Sequence, residues 1–494
     1  MSDRKSGILL HITSLPGEEG IGTLGTDAYH FVDFLAETGQ KLWQILPLGP
    51  AGAGNSPYQC FSAFAGNHLL IDLSLLAEDG LLHLNDIAVR LGFLKKRTVF
   101  QKVENWKLPL LQRSFDSFRT QHFDRFKNEY WQFLDEHSWW LNGHALFMAA
   151  RKHFGGLEWG KWPDDVKFRK PEALQELAVQ QADEIEFQKF LQFIFFRQWH
   201  RLKNYANQNN VEIFGDVPLY VSGDSSDVWA NTDIFMLDAN LHPIEVGGVP
   251  PDYFSESGQL WGNPVFNWER LQQRDYDWWI ARMHFNLRMF NRVRIDHFRG
   301  LESFWAIPAS EKTAMNGSWV PAHGYNLLSK LKGQLGELLF IAEDLGTITD
   351  EVEKMRESFG LPGMKVLQFA FSTDATNRDL PHNYDKNFVV YTGTHDNDTT
   401  LGWLRSLETE EKIMLQKYAG ASEQDQLNNV VEMAFSSVAE TAIIPMQDIL
   451  ELDSDSRMNT PGTATGNWEW RFSWRQLKAR QKQLLKELTE KYNR

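Results

Sequence analysis

Residues 291–300 read Asn-Arg-Val-Arg-Ile-Asp-His-Phe-Arg-Gly, in which apolar and charged side chains alternate. In a β-strand, residues two apart share a face, so Arg294 and Asp296 are expected on one face and Val293 and Ile295 on the other. Burying a charge is costly unless it is paired, and Arg294 supplies such a pair, which would keep the Asp296 carboxyl ionised. A structural ion pair at a strand end has the same pattern, so this stretch alone leaves both interpretations open.

Eight segments have the composition of buried strands, and helical patterns separate most of them. The strand candidates are residues 7–14, 41–48, 211–221, 291–300, 302–307, 338–345, 364–369 and 387–392. Eight strands alternating with helices predict an α/β fold of the (β/α)8 type, the TIM barrel. A doubly wound open sheet is the alternative, but neither a G-x-G-x-x-G turn after a strand nor a G-x-x-x-x-G-K-[ST] loop supports it.

A long stretch of helical pattern interrupts this alternation between the second and third strand candidates. It covers about residues 73–210, which are dense in Gln, Glu, Lys and aromatic residues. We therefore predict a discontinuous catalytic barrel at residues 1–60 and 205–494, with an inserted helical subdomain at 61–204. The Gly- and Pro-rich residues 247–264 are predicted to form a long loop over the C-terminal face of the barrel.

The composition restricts the class of protein. The formal net charge of −15 over 494 residues disfavours nucleic-acid and anionic-membrane partners. Cys60 is the only cysteine, which argues against a disulfide framework or a cysteine-based zinc site and fits a reducing compartment. The apolar run at residues 8–12 is too short for a signal-peptide core, and no run of 18 apolar residues occurs, so we expect a cytoplasmic protein. The many aromatic rings suit flat ligands such as sugars, although most must fill the core.

Carboxylates lie at or just after the ends of several strand candidates. These residues are Asp216, Asp296, Glu343 and Asp396. In a barrel all strands are parallel, so their carboxyl ends gather on one rim, where catalytic residues lie. Carboxylates at such positions can also cap the helices that follow, and that is the interpretation we favour for Asp344 and Asp398.

Paired carboxylates without a cluster of metal ligands are typical of enzymes that act on glycosidic bonds, where one carboxyl is ionised and the other protonated. Asp296 beside Arg294 is the better anion, and the apolar residues before Glu343 would raise the pKa of that carboxyl. The alternatives to an enzyme of glycosidic bonds are a divalent-metal site and a proton-abstraction enzyme. Three histidines could act as metal ligands or as bases in these alternatives, namely His11, His297 and His395. No H-x-H or H-E-x-x-H spacing supports a metal, so neither a metal nor a cofactor is expected.

Several sequence blocks occur in an order that is typical of one enzyme family. They are Ser-Gly-Ile-Leu-Leu-His (6–11), Ser-Pro-Tyr-Gln (56–59), Phe-Gly-Asp-Val-Pro (214–218), Gly-Val-Pro-Pro-Asp (248–252), Gly-Gln-Leu-Trp-Gly-Asn-Pro (258–264), Arg-Val-Arg-Ile-Asp-His-Phe-Arg-Gly (292–300), Ile-Ala-Glu-Asp-Leu-Gly (341–346), Gly-Thr-His-Asp-Asn-Asp-Thr (393–399) and Arg-Met-Asn-Thr-Pro-Gly-Thr (457–463). With these blocks the chain resembles, over essentially its whole length, glycoside hydrolase family 77. These are the 4-α-glucanotransferases or amylomaltases of the α-amylase clan.

The resemblance implies a retaining transferase that moves a segment of an α-1,4-glucan to the 4-hydroxyl of a glucan or glucose through a covalent glycosyl-enzyme. It implies Asp296 as the nucleophile, Glu343 as the general acid and then base, and Asp396 as a third carboxylate that holds sugar hydroxyls. The substrate-binding residues that it implies are Tyr58, Asp216, Trp261, Arg294 and His395. Arg294 would also orient the nucleophile and keep it charged.

The implied substrates are maltooligosaccharides, amylose and glucans derived from starch or glycogen, with glucose as an acceptor. No nucleic-acid or membrane partner is implied, and no oligomeric state is predicted. Two alternatives remain. One is a hydrolase of the same clan, and the other is a non-catalytic glucan-binding scaffold that uses the aromatic residues alone.

Overall fold

The structure, a computed structural model, describes residues 4–88, 92–251, 255–372, 374, 376–419 and 425–494. The described strands form an eight-stranded sheet and a four-stranded sheet. In chain order they are β1 (Lys5–Leu9), β2 (Leu42–Gln44), β3 (Glu212–Val217), β4 (Glu245–Val249), β5 (Gln259–Pro264), β6 (Arg292–Ile295), β7 (Ser303–Pro308), β8 (Ser318–Pro321), β9 (Phe340–Ala342), β10 (Gly363–Val366), β11 (Phe388–Tyr391) and β12 (Thr441–Pro445).

The larger sheet is the barrel. Its strand order is β10-β11-β12-β1-β2-β3-β6-β9, and every neighbouring pair is parallel. The two ends of this order meet, since the Ala342 N–H of β9 donates to the Pro362 carbonyl just before β10 across 2.8 Å. All residues of β2, β9, β10 and β11 are buried, as expected for strands covered on both faces. The predicted (β/α)8 barrel is confirmed.

Two details of the strand prediction were wrong. The candidate at residues 302–307 is not a barrel strand, because β7 pairs antiparallel with β4 and β8 in the smaller sheet. Buried and half-buried residues alternate at its start, which is typical of a strand with one solvated face. The eighth barrel strand is instead β12, whose last four residues are buried and which pairs with β1 and β11.

The smaller sheet also changes the interpretation of residues 247–264. This segment was predicted to be a long loop, but it contains the last three residues of β4 and all of β5, which pair antiparallel with each other. The strand order of the sheet is β5-β4-β7-β8. Asp252, the last residue of one quoted block, lies outside the described residues. The sheet is positioned over the carboxyl end of β6, since Trp261 of β5 contacts His297, with the ring centroids 4.8 Å apart.

The described helices surround the barrel and fill the insertion between β2 and β3. They are α1 (Thr26–Glu37), α2 (Leu73–Glu78), α3 (Leu84–Ile87), α4 (Phe100–Ser117), α5 (Phe123–His153), α6 (Asp164–Lys167), α7 (Pro171–Gln180), α8 (Ala182–Gln208), α9 (Ser226–Ala230), α10 (Trp268–Gln273), α11 (Asp277–Met289), α12 (Gly324–Leu335), α13 (Asp350–Ser358), α14 (Thr400–Ser406), α15 (Thr409–Ala419), α16 (Gln426–Ser436), α17 (Met446–Ile449) and α18 (Ala479–Tyr492). None of them has an apolar stretch long enough to cross a membrane.

The helical insertion is joined to the barrel by buried contacts. The Lys107 Nζ of α4 is fully buried and lies 2.5 Å from the Glu19 carboxylate in the connection between β1 and α1. At the other end, the Trp199 indole N–H of α8 donates to the Met289 carbonyl at 3.2 Å. The predicted boundary between residues 204 and 205 falls within α8, and the division into a barrel and an inserted subdomain stays a prediction.

Candidate active site

Two carboxylates occupy equivalent positions at the ends of neighbouring strands. Ile295, the last residue of β6, lies beside Ala342, the last residue of β9. The Glu343 N–H continues this parallel ladder by donating to the Ile295 carbonyl at 3.1 Å. Asp296 and Glu343 are therefore the first residues beyond the two strands, and they lie side by side on the rim of the barrel.

Arg294 connects two carboxylates on this rim. Its Nη2 donates to Asp296 at 2.7 Å, and its Nη1 donates to Asp216 of β3 at 2.6 Å. The side chains of Arg294 and Asp216 are buried, whereas the Asp296 side chain keeps 28% of its exposure. The predicted pairing of Arg294 with Asp296 on one strand face is confirmed, and Asp216 shares the same guanidinium.

Tyr58 and His395 extend this network. The Tyr58 hydroxyl lies 2.7 Å from the Asp216 carboxylate and 2.9 Å from Nε2 of His395. Burial and the charge of Asp216 raise the pKa of the Tyr58 phenol well above its usual value, so it stays protonated and donates to Asp216. Burial lowers the pKa of His395, and a neutral ring with its proton on Nε2 can then donate to the Tyr58 oxygen. The two rings stack with their centroids 5.3 Å apart.

Asp396 is held by a later segment of the chain. Asn459 Nδ2 donates to the Asp396 carboxylate at 2.6 Å, and Arg457 donates to the Asp396 backbone carbonyl at 2.5 Å. Arg457 also donates to the Asn459 carbonyl at 2.7 Å. The Asp396 side chain remains 45% exposed, so one carboxylate oxygen is fixed by protein while the carboxylate still faces the cleft.

The pKa values of the two facing carboxyls are both raised. Burial raises the pKa of Asp296 to about 7, with Arg294 opposing this shift and Asp216 and Asp396 adding to it. Burial raises the pKa of Glu343 to about 8, again against Arg294. The sequence suggested that Arg294 would keep the Asp296 carboxyl ionised. The pKa of Asp296 is nevertheless raised, because the effect of burial is larger than the effect of the arginine. The Arg294 guanidinium bonds directly to Asp296 at 2.7 Å, and this contact favours Asp296 as the anion of the pair.

Trp261 and Trp468 border the site. Trp261 meets the edge of His297, the residue after Asp296, at an interplanar angle of 89°. The Trp468 ring lies 5.8 Å from Tyr58 and 6.0 Å from His395, centroid to centroid. The sequence analysis missed the individual roles of Asn459, Arg457 and Trp468, although the block at residues 457–463 was a signal for the first two.

The expectation that Asp344 and Asp398 cap helices was wrong. Asp344 accepts from the Met364 N–H of β10 at 2.7 Å and from Arg378 at 3.0 Å. Asp398 accepts from the adjacent Thr399 N–H and from the Ser454 hydroxyl, while Thr399 itself caps α14. Both aspartates hold the loops behind the site rather than a helix.

The alternative reactions find less support in this geometry. Within the described part of the chain, no three His, Cys, Asp or Glu side chains are arranged to hold a metal ion. His11 is buried and His297 is half-buried. Desolvation lowers the pKa of each ring to about 3, so both rings are neutral. The Cys60 thiol is half-buried, desolvation raises its pKa to about 12, and it lies 3.0 Å from the Pro57 carbonyl.

Comparisons with known proteins identify the family of the chain. Residues 10–478 match the family model Glyco_hydro_77, described as 4-alpha-glucanotransferase. The chain is 48% identical to the 4-alpha-glucanotransferase of Synechocystis over 498 aligned positions, covering 100% of this chain and 99% of that protein. It is 47% identical to the 4-alpha-glucanotransferase of Thermus thermophilus, covering 95% of each.

A solved structure agrees as well. The amylomaltase from Streptococcus agalactiae in complex with acarbose superposes with a TM-score of 0.97 at 41% identity and covers 99% of both chains. Sequence and structure therefore match the same family over almost the whole length. The chain belongs to the 4-alpha-glucanotransferases of glycoside hydrolase family 77.

Proposed function

We propose that this 4-alpha-glucanotransferase works through a covalent glycosyl-enzyme on Asp296, with Glu343 as general acid and then general base. The protein would cleave an α-1,4 bond of a donor glucan and pass the released segment to the 4-hydroxyl of an acceptor glucan or glucose. Maltooligosaccharides, amylose and starch- or glycogen-derived glucans are the proposed substrates, and the cytoplasm is the proposed location.

The observation that carries this proposal is the register of β6 and β9. Because Ile295 lies beside Ala342, Asp296 and Glu343 project from neighbouring strands, which lie roughly 4.7–4.9 Å apart in a sheet. Retaining glycosidases need their two carboxyl groups about 5–5.5 Å apart, whereas inverting enzymes leave a wider gap of about 6.5–9.5 Å for a water. Neighbouring positions on adjacent strands favour the retaining geometry.

The contacts of the two carboxyls suit the first step. Asp296, which is paired with Arg294, attacks the anomeric carbon as an anion, while Glu343, whose pKa burial raises, still carries the proton that the departing glycosidic oxygen takes. In the second step Glu343, now ionised, removes the proton from the acceptor 4-hydroxyl, and that oxygen displaces Asp296 from the anomeric carbon. Arg294 stabilises Asp296 whenever it is an anion, before attack and after departure.

The other predicted residues would bind the donor sugar. Asp396 presents a carboxylate that Asn459 orients, and a carboxylate fixed in this way can accept two hydrogen bonds from vicinal sugar hydroxyls. Tyr58, Asp216 and His395 form a connected polar wall beside it. Trp261, at the edge of His297, offers an aromatic face on the acceptor side, which would position a glucan acceptor and exclude water.

The structural relative from Streptococcus agalactiae was solved with acarbose, and we propose that the corresponding cleft binds maltooligosaccharides here. Incubation with maltotriose, followed by separation of the products, tests the proposal. A transferase gives glucose and a ladder of longer chains, whereas a hydrolase of the same clan gives only shorter products with new reducing ends. A binding scaffold would leave maltotriose unchanged, which would overturn the catalytic assignment.

A further inference from the structure

A single turn at the end of β6 holds both carboxyls of the proposed reaction. The Asp296 N–H donates to the Val217 carbonyl at 3.0 Å, which fixes the nucleophile to β3. The Phe298 N–H donates to the Glu343 carbonyl at 3.1 Å, and the His297 N–H donates to the Glu343 side chain at 2.6 Å. The peptide groups of residues 295–298 therefore set the position of Glu343 relative to Asp296.

His297 makes this turn possible by adopting a left-handed backbone, with φ of 52° and ψ of 48°. This conformation is unfavourable for residues with a Cβ atom and persists only where the surroundings enforce it. The imidazole packs so tightly on Gly300 that a Cβ there would lie 2.9 Å from its Cδ2. Trp261 covers its edge. The ring is thus locked between two neighbours, and its own amide is turned towards Glu343.

The two oxygens of Glu343 are held unequally. Oε2 accepts the short hydrogen bond from His297, and Oε1 accepts from the Leu345 N–H at the longer distance of 3.1 Å. In a protonated carboxyl the carbonyl oxygen is the better acceptor, so the short bond favours Oε2 as carbonyl and Oε1 as hydroxyl. The proton for the leaving group would then come from Oε1.

We propose that the left-handed backbone at His297 is a positioning device for Glu343: it aims one amide at Oε2 and so directs the acidic proton on Oε1 towards the glycosidic oxygen. This inference rests on the proposed function, in which Glu343 is the acid. His297 itself need not touch the substrate for this role, because its backbone acts through Glu343.

Loss of the hydrogen bond from the His297 N–H should change the pKa of Glu343 in a predictable direction. The charged and titratable groups that face Glu343 are Arg294 of β6, Asp296 just beyond that strand, Asp344 beside Glu343 and Tyr391 of β11. A backbone donor favours the ionised carboxylate, so it lowers the Glu343 pKa against the effect of burial. If the amide turns away, the Glu343 pKa rises, and the basic limb of the kcat/KM profile moves to higher pH.

The test compares three substitutions that differ in how well they tolerate a left-handed backbone. Asn accepts this conformation, Ala disfavours it, and the β-branched Val disfavours it most. We expect His297→Asn to leave the basic limb of the kcat/KM profile for maltotriose disproportionation at the same pH. His297→Ala should move this limb to higher pH. His297→Val should move it to higher pH by roughly half a unit or more, with kcat lowered about 10- to 100-fold.

The results separate the backbone role from a role of the ring. If all three variants lose activity equally with an unchanged basic limb, the imidazole matters and the inference is wrong. It is equally wrong if none of them changes the profile. Should His297→Val fail to fold, which circular dichroism would reveal, the comparison of Asn with Ala still decides. Glu343→Gln is the separate check on the proposed function, since retained transfer in that variant would remove Glu343 as the acid whatever His297 does.

Discussion

Arg294 of β6 donates across 2.7 Å to Asp296, the first residue beyond that strand. The alternation of side chains along β6, continued by one residue, places both side chains on the same face. The same guanidinium also serves Asp216, so one arginine is shared by two carboxylates in a buried site. Burial, to which the charges of Asp216 and Asp396 add, therefore raises the pKa of Asp296 in spite of its ion pair.

Removal of this arginine should change both rate and pH dependence. Arg294 lowers the Asp296 pKa against burial, so in Arg294→Gln that pKa should rise, and the acidic limb of kcat/KM should move to higher pH. We also expect kcat to fall roughly 100-fold or more, since the anion loses its main electrostatic partner. Arg292→Gln, on the same strand but paired with Glu212 instead, is the matched control. An unchanged acidic limb in Arg294→Gln would contradict the role of the ion pair.

Asp296→Asn should abolish the maltotriose ladder while leaving the fold intact. The amide cannot form the glycosyl-enzyme, so we expect a loss of about 1,000-fold or more in kcat. The melting temperature should stay close to that of the parent protein, because the substitution is isosteric and removes a charge from a crowded site. Retained transfer by this variant, measured as glucose release, would refute the nucleophile assignment.

Asn459 should matter through the carboxylate that it orients. Asn459→Ala removes the 2.6 Å hydrogen bond to Asp396, and we expect kcat/KM to fall about 10- to 100-fold. Asn459→Asp should be worse than Asn459→Ala, because it places a second carboxylate against Asp396. The neighbouring substitution Thr460→Ala serves as the control. Equal activity in the Asp and Ala variants would show that repulsion is absent and that Asp396 is not held from this side.

The insertion should be held to the barrel partly by the Lys107–Glu19 pair. Both partners are buried, and the removal of one partner leaves an uncompensated charge, which typically costs about 3–5 kcal/mol. We expect Lys107→Met to lower the free energy of unfolding by that amount in urea denaturation. The double variant with Glu19→Gln should recover part of the loss, because the orphaned carboxylate is gone. Strict additivity of the two single effects would argue against direct coupling.

A buried histidine of the insertion should make stability depend on pH. His144 of α5 is 2% exposed, and burial lowers its pKa to about 3, while an unfolded histidine titrates near 6.5. Below pH 6.5 the unfolded state therefore binds more protons than the folded state. The free energy of unfolding should decrease as the pH is lowered, by about 2 kcal/mol from pH 7 to pH 5. His144→Gln should flatten this dependence in denaturation experiments at both pH values. His153→Gln, at the exposed end of the same helix, should not, and an equal slope in both variants would contradict the assignment.

Much of the fold and site follows from local patterns. The period of two in residues 291–300 correctly places Arg294 and Asp296 on one face, and strand-end carboxylates correctly indicate one rim. Roles such as those of Asp296 and Glu343 come only from the resemblance to a family, since spacing alone left a structural ion pair and other reactions open. They stay proposals until the variants above are measured.

The remaining features depend on contacts between distant segments. The sequence Thr-Ala-Ile-Ile-Pro of β12 is five residues long, too short for periodicity to distinguish a strand from a helix end. The partnership of Asp396 with Asn459 spans 63 residues, and nothing in either local sequence reports it. The left-handed backbone of His297 is likewise not evident from the local sequence, because the N–H groups of His297 and Phe298 bond to Glu343, 46 residues from His297 along the chain.

The position of β12 between β1 and β11 also has a consequence for synthesis on the ribosome. A nascent chain that has not yet emerged past residue 445 has two unpaired barrel edges, one on β1 and one on β11. Such edges readily pair with other chains. The barrel can close only after β12, which ends at Pro445, has emerged, and Asn459 emerges later still. Until then the nascent protein is inactive and the edges of β1 and β11 stay unpaired. It should therefore depend on chaperones that cover exposed sheet edges.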